Sequence, residues 1–181
     1  EALARRSTPG APITVVATGR DAARTEAAAA SIAESLPPGS GASVSGLGLD
    51  VADAASRTAA LKRLRELVGE GGRLSALVNN AGIACDLPWA PSPPGVSYGE
   101  VTERTLETNF LGPLELTESL IREGLLAEGG RVIGVSSGGG HIAINKVLPR
   151  VRERFLALGL STDEVAAAAC EFVADARSGG K

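Results

Sequence analysis

Four short apolar runs constrain the fold of this chain more than any other feature. They are residues 13–17 ("ITVVA"), 44–49 ("VSGLGL"), 74–78 ("LSALV") and 132–135 ("VIGV"). Each is short and β-branched or leucine-rich, the pattern of a buried strand; Gly46 and Gly48 weaken the second. Helical sequence separates them. Asp21 can cap a helix running to about Leu36, where Pro37-Pro38 stops it. Asp53 can cap another that carries Leu61, Leu64, Leu67 and Val68 on one face and stops at Gly69. Residues 84–99 are rich in proline and glycine and read as a loop. A long helix is predicted over 100–122, kinked at Pro113. Beyond the fourth run the chain reads as helix near 151–158. A capping box at Ser161-Thr162-Asp163-Glu164 then opens a helix to about Ala176. Strand and helix in alternation predict an α/β fold, a parallel sheet with helices on both faces.

The remaining bulk properties exclude more than they assign. The chain of 181 residues fits one domain. Its net charge of −3, with both signs mixed, gives no electrostatic footprint for nucleic acid. No apolar run approaches the roughly 20 residues of a bilayer span. Cys85 and Cys170 fit neither a disulfide framework nor a zinc site, so no metal is expected and a reducing, cytoplasmic compartment is. The sequence starts at Glu1, contains no methionine, and opens with "EALARR", which reads as the middle of a helix. We therefore expect an internal piece of a longer chain.

The segment "RVIGVSSGGGHIA" (131–143) spells two motifs at once. Gly134-Val135-Ser136-Ser137-Gly138 fits the G-x-S-x-G nucleophile elbow. Such a serine needs a histidine base and an acid, in the order Ser, acid, His. The single histidine, His141, sits five residues past Ser136, out of place for that order. Gly138 to Ala143 fits the dinucleotide fingerprint, but an acid-ended second strand should follow about 20 residues on. Pro149 and a charged helix follow instead.

Context supplies a third reading. "VVATGRDAAR", "LGLDVAD", "LVNNAGIA", "ETNFLGPLELT" and "GGRVIGVSS" occur in this order across essentially the whole chain. Together they resemble the short-chain dehydrogenase/reductase family, and within it the monomeric NADPH-dependent carbonyl reductases. The resemblance implies a Rossmann-like doubly wound sheet and reduction of a small aldehyde or ketone to an alcohol by hydride from NADPH. It implies that Ser137 hydrogen-bonds the carbonyl oxygen and that Asn109 orients a water in a proton relay. On the cofactor side, Asp50 and Val51 would meet the adenine, and Asn79, Asn80, Ala81 and Gly82 would line the nucleotide. An NAD-preferring member would carry an acid at the end of the family's second strand. Here that end reads Thr18-Gly19-Arg20, with Arg24 one helical turn on. Guanidinium groups suit a 2′-phosphate, which favours NADPH; Asp21 is taken as the helix cap.

The chain also departs from the family. The first strand with its T-G-x-x-x-G-x-G loop is absent from residues 1–181, and so is the catalytic Tyr-x-x-x-Lys: the one tyrosine, Tyr98, is followed four residues later by Thr102. Residues 148–181 resemble the helical insertion that precedes that tyrosine and covers the dimerisation face, implying a monomer. One partial Rossmann-like domain over 1–181 is thus expected, lacking the first and the C-terminal strands. The family strand order 3-2-1-4-5-6 puts the missing strand at the centre, so the isolated chain is expected to be unstable and inactive. A non-catalytic nucleotide-binding module is the alternative, and a serine hydrolase a distant third. The loop 83–99, with Trp89, is expected to shape the substrate pocket.

Overall fold

The computed structural model describes residues 2–8, 10–84, 94–157 and 159–179. The elements form two compact units, residues 1–73 and 74–181.

The first unit opens with a single 3-10 turn, Ala4–Arg6, and continues through β1 (Thr14–Gly19), α1 (Ala22–Glu34), β2 (Ser43–Gly48) and α2 (Ala54–Val68). β1 and β2 pair in parallel, Thr14 opposite Ser43 through Gly19 opposite Gly48. Both helices start where the sequence predicts. Asp21 accepts a hydrogen bond from the Arg24 amide at 2.9 Å, and Asp53 accepts one from the Ser56 amide at 2.7 Å. Each bond satisfies a donor that the first helical turn leaves unpaired. At the other end of α2, Gly69 ends the helix with φ +73°, a backbone conformation that favours glycine.

The two glycines that weaken the β2 pattern have a packing reason. A Cβ at Gly46 would come within 2.6 Å of the Glu26 Cα, and one at Gly48 within 2.9 Å of the Ala22 Cβ. The alanine-rich α1 lies directly on β2, and only glycine permits that approach. Leu47, Ala29, Ala60, Leu61 and Leu64 are buried, whereas Leu67 lies outside the core. β1 is also less buried than an apolar run predicts, because in a two-stranded sheet every strand is an edge.

The second unit contains β3 (Leu74–Asn79), α3 (Tyr98–Leu106), a π-helical turn (Glu107–Leu111), α4 (Gly112–Arg122), β4 (Leu126–Gly134), α5 (Gly138–Ile144), α6 (Pro149–Leu156) and α7 (Thr162–Arg177). β3 and β4 also pair in parallel, with a register shift between Leu74 and Ala76. The pairings β1–β2 and β3–β4 are those of a 3-2-1-4-5 order without its strand 1. Val78, Val132 and Ile133 of this sheet are exposed.

Three expectations change here, and one lies outside the described residues. Residues 85–93 of the predicted loop, with Cys85 and Trp89, lie outside the described residues. The long helix starts at Tyr98, because Ser97 and Glu100 form a capping box. Its break is the π-helical turn upstream of Pro113, and Pro113 itself sits in the first turn of α4. The glycine-rich segment after β4, where the sequence predicts no helix, is helical.

α4 ends in a Schellman motif: the Leu125 amide donates to the Leu120 carbonyl at 2.9 Å and the Gly124 amide to the Ile121 carbonyl at 3.0 Å, with Gly124 at φ +67°. Leu120 and Leu125, both buried, close the turn and deliver the chain into β4. The predicted capping box at Ser161 is present and starts α7. α7 packs on α3 at Gly99, where a Cβ would come within 2.8 Å of the Arg177 Cα, and Arg177 pairs with Glu103. Arg154 on α6 bonds Glu171 on α7 at 2.8 Å.

Candidate functional site

Apart from Arg24 in α1 and Asn109 in the π-helical turn, the sequence-predicted residues fall at or just beyond the carboxyl ends of the four strands, the position at which open α/β sheets bind ligands. They divide between the two units.

In the first unit an open groove runs from the end of β1 onto α1. Its lining includes Thr18, Gly19, Arg20, Arg24 and Thr25. A Cβ on Gly19 would strike the Thr25 hydroxyl at 2.5 Å, so the glycine keeps the floor of the groove open. The Thr25 hydroxyl is itself tied to the Asp21 carbonyl at 2.7 Å. Asp21 lines the groove too, but its carboxylate is engaged as the cap of α1. Arg20 and Arg24 are exposed, and neither is in an ion pair among the described residues. Two unneutralised guanidinium groups over a glycine floor fit a phosphate-bearing ligand.

Asp50 and Val51, after β2, do not line this groove. The Asp50 amide donates to the Ser56 hydroxyl at 2.9 Å, the Asp50 carboxylate accepts from the Ala52 amide at 3.1 Å, and Arg57 donates to the Val51 carbonyl at 2.8 Å. Arg57 is buried. Sequence reasoning missed Ser56 and Arg57. The signal for Arg57 is an arginine at the helical spacing 57, 60, 61, 64 of an otherwise apolar stripe.

In the second unit the turn from Asn79 to Ile83 is fastened at both ends. At the Ile83 end, Asn109 accepts from the Ile83 amide and donates to the Ile83 carbonyl, each at 2.8 Å. Asn109 reaches it from the π-helical turn, a feature common at functional sites. At the Asn79 end, the Asn79 side-chain amide donates to the Thr117 hydroxyl at 3.1 Å, and the Asn79 carbonyl accepts from the Val135 amide at 2.9 Å. Asn80, Ala81 and Gly82 lie between these fastenings. Thr117 was not singled out from the sequence.

Ser137 is the N-cap of α5. Its hydroxyl oxygen accepts from the Gly139 amide at 3.0 Å. The hydroxyl hydrogen is not spent in that bond, and the side chain is exposed. The structure thus joins Asn79 through Asn109 into one cluster. It links that cluster to the serine segment through the Val135 amide. Among the described residues no group of three His, Cys, Asp or Glu side chains could hold a metal ion.

A parallel α/β chain with polar turns at the carboxyl ends of its strands is a nucleotide-binding architecture of the dehydrogenase type. Sequence comparison makes the assignment definite: the short chain dehydrogenase family matches residues 4–149, and the chain belongs to it. Carbonyl reductase (NADPH) 1 of Sus scrofa is 34% identical over 166 residues, 91% of this chain and 52% of that protein. Estradiol 17-beta-dehydrogenase 11 of Rattus norvegicus is 31% identical over 125 residues, 66% of this chain and 40% of that one. The chain therefore spans about half the length of the curated relatives it matches. Among solved structures, menthone neomenthol reductase from Mentha piperita is similar at TM-score 0.70 and 25% identity, over 94% of this chain and 67% of that one. A short-chain dehydrogenase from Sphingobium yanoikuyae in complex with NADPH is similar at TM-score 0.54 and 26% identity, over 78% and 48% of the two chains.

Proposed function

We propose that this chain forms the nucleotide- and carbonyl-oxygen-binding part of an NADPH-dependent carbonyl reductase that converts aldehydes or ketones to alcohols. The observation that carries the reading is the pair Arg20 and Arg24 on the groove at the end of β1. Guanidinium groups suit a 2′-phosphate, and neither of these is in an ion pair among the described residues, which supports the reading. The names of the relatives in Sus scrofa and Sphingobium yanoikuyae point the same way.

NADPH, when bound, supplies the hydride. The chain's residues do the rest. Arg20 and Arg24 bind the 2′-phosphate, and Asp50 and Val51 meet the adenine on a turn held by Ser56 and Arg57. Asn79, Asn80, Ala81 and Gly82 line the nucleotide from a turn fastened at both ends. Ser137 accepts from the Gly139 amide, which leaves its hydroxyl hydrogen available to bond a carbonyl oxygen where charge develops. Asn109 holds Ile83 with its side chain. Its backbone carbonyl meets no α-helical donor four residues on, because Pro113 has no amide hydrogen, and that oxygen suits a water of the proton relay. The segment 148–181 acts as the helical insertion of one Rossmann-like domain. Its α7 packs on α3 at Gly99, and the complete enzyme is proposed to be a cytoplasmic monomer.

Residues 1–181 contain no Tyr-x-x-x-Lys and no T-G-x-x-x-G-x-G loop, so this segment by itself is expected to turn over nothing. In the complete gene product, NADPH oxidation should depend on an added aldehyde or quinone. Ser137→Ala should lower kcat on the order of 10²-fold, the usual cost of one oxyanion donor. Carbonyl-independent behaviour, or an unchanged kcat in Ser137→Ala, would refute the proposal.

A further inference from the structure

We infer that Thr117 is a positioning residue that fixes which end of the Asn79 amide faces the nucleotide, resting on the nucleotide-binding reading above. The Thr117 hydroxyl donates its one hydrogen to the Pro113 carbonyl at 2.7 Å, one turn back along α4. Its oxygen can then only accept. The Asn79 amide meets that oxygen with Nδ2 at 3.1 Å. The other end, Oδ1, is left as an acceptor at the carboxyl end of β3. If the threonine hydrogen were free, Asn79 could present either end. The bond to Pro113 removes that choice.

The same helix carries both fastenings of the turn. Asn109 holds Ile83 and Thr117 holds Asn79, eight residues apart. In an unbroken α-helix, residues at that spacing diverge by about 80° around the axis. The wider π-helical turn at Glu107–Leu111 takes up part of this offset and turns both side chains toward one loop. The π turn therefore acts as a register device. It lets one helical run grip both ends of a five-residue turn and leave Asn80, Ala81 and Gly82 between the grips.

The test compares Thr117→Val, which keeps the shape and loses the hydroxyl, with Thr117→Ser, which keeps the hydroxyl and loses the methyl group. In the complete gene product, NMR of the Asn79 side-chain amide should show slowed hydrogen exchange in the wild type and in Thr117→Ser. Thr117→Val should lose that protection. NADPH dissociation constants should follow the same order: Thr117→Ser within about twofold of wild type, and Thr117→Val weaker by about fivefold, the loss of one hydrogen bond. Equal weakening in both variants would show that the methyl group matters, and would overturn the inference. So would NADPH affinity unchanged in Thr117→Val, while leaving the proposed function standing. A wild type that binds no NADPH would instead sink the proposed function and the nucleotide role of Thr117 with it. The amide exchange would still report whether Thr117 holds Asn79.

Discussion

Asn109 and Ile83 exchange two hydrogen bonds, side-chain oxygen to backbone amide and side-chain amide to backbone carbonyl, each 2.8 Å long and spanning 26 residues of sequence. The pair locks the turn after β3 to the π-helical turn. It occupies the side chain of a residue for which the family resemblance suggests a role in handling water.

Replacing Asn109 tests the lock. Asn109→Ala removes both bonds and is expected to destabilise the second unit by about 1–3 kcal/mol, the sum for two neutral hydrogen bonds. Asn109→Asp keeps the acceptor for the Ile83 amide but sets a second oxygen against the Ile83 carbonyl, so it should not restore the lock. Denaturant unfolding measures the loss, and amide exchange at Ile83 localises it. An Ile83 amide that exchanges equally fast in wild type and Asn109→Ala would disprove the lock.

Gly46 makes a second prediction. A methyl group there would overlap the Glu26 backbone, so Gly46→Ala must push α1 off β2. Overpacking of this kind costs about 1–3 kcal/mol. Gly134 has nothing within 4 Å of a built Cβ and no positive φ, which makes Gly134→Ala the matched control. Thermal melts should separate the two, with a lower Tm for Gly46→Ala alone. Equal melts would mean that α1 does not sit this close to β2.

The capping box of α7 gives a pH dependence. The Ser161 amide and then its hydroxyl, both donating to Glu164, hold the Glu164 carboxyl below its ordinary value of 4.5. A carboxylate whose folded pKa is lowered stabilises the helix above the unfolded pKa, and the contribution fades as pH falls through the folded value. The first turn of α7 should therefore be intact at pH 6 and fray as pH falls below the ordinary carboxylate value. Amide exchange or helical circular dichroism across this range reads it. Glu164→Gln, which cannot ionise, should flatten the profile. A profile unchanged by that substitution would rule the box out as the cause.

Much of this fold is legible in the sequence because its signals are local. Asp21, Asp53 and Ser161 announce three helix starts through their side chains, and Gly69 announces one stop. The four apolar runs announce the strands. What stays hidden depends on contacts distant along the chain. Gly46 looks like a flaw in a strand until Glu26 is seen above it. Thr117 looks like any helical threonine until Asn79 is seen to reach it across 38 residues. The helix at Gly138–Ile144 is hidden for another reason: three glycines argue against a helix, and the cap from Ser137 overrides them. Pro113 is legible as a disruption, but the π turn that absorbs it falls one turn earlier. A carbonyl deprived of its amide partner lies four residues before the proline, so the disruption is felt upstream.

Titration of the complete gene product with NADPH and NADH, in wild type and in Arg20→Ala and Arg24→Ala, tests the central claim most directly. NADPH should bind about tenfold or more tightly than NADH to the wild type, as a charge-assisted contact to phosphate would give. That preference should shrink toward unity in the arginine variants, with NADH affinity little changed. Equal affinity for the two nucleotides in the wild type, or a preference that survives loss of both guanidinium groups, would contradict the account.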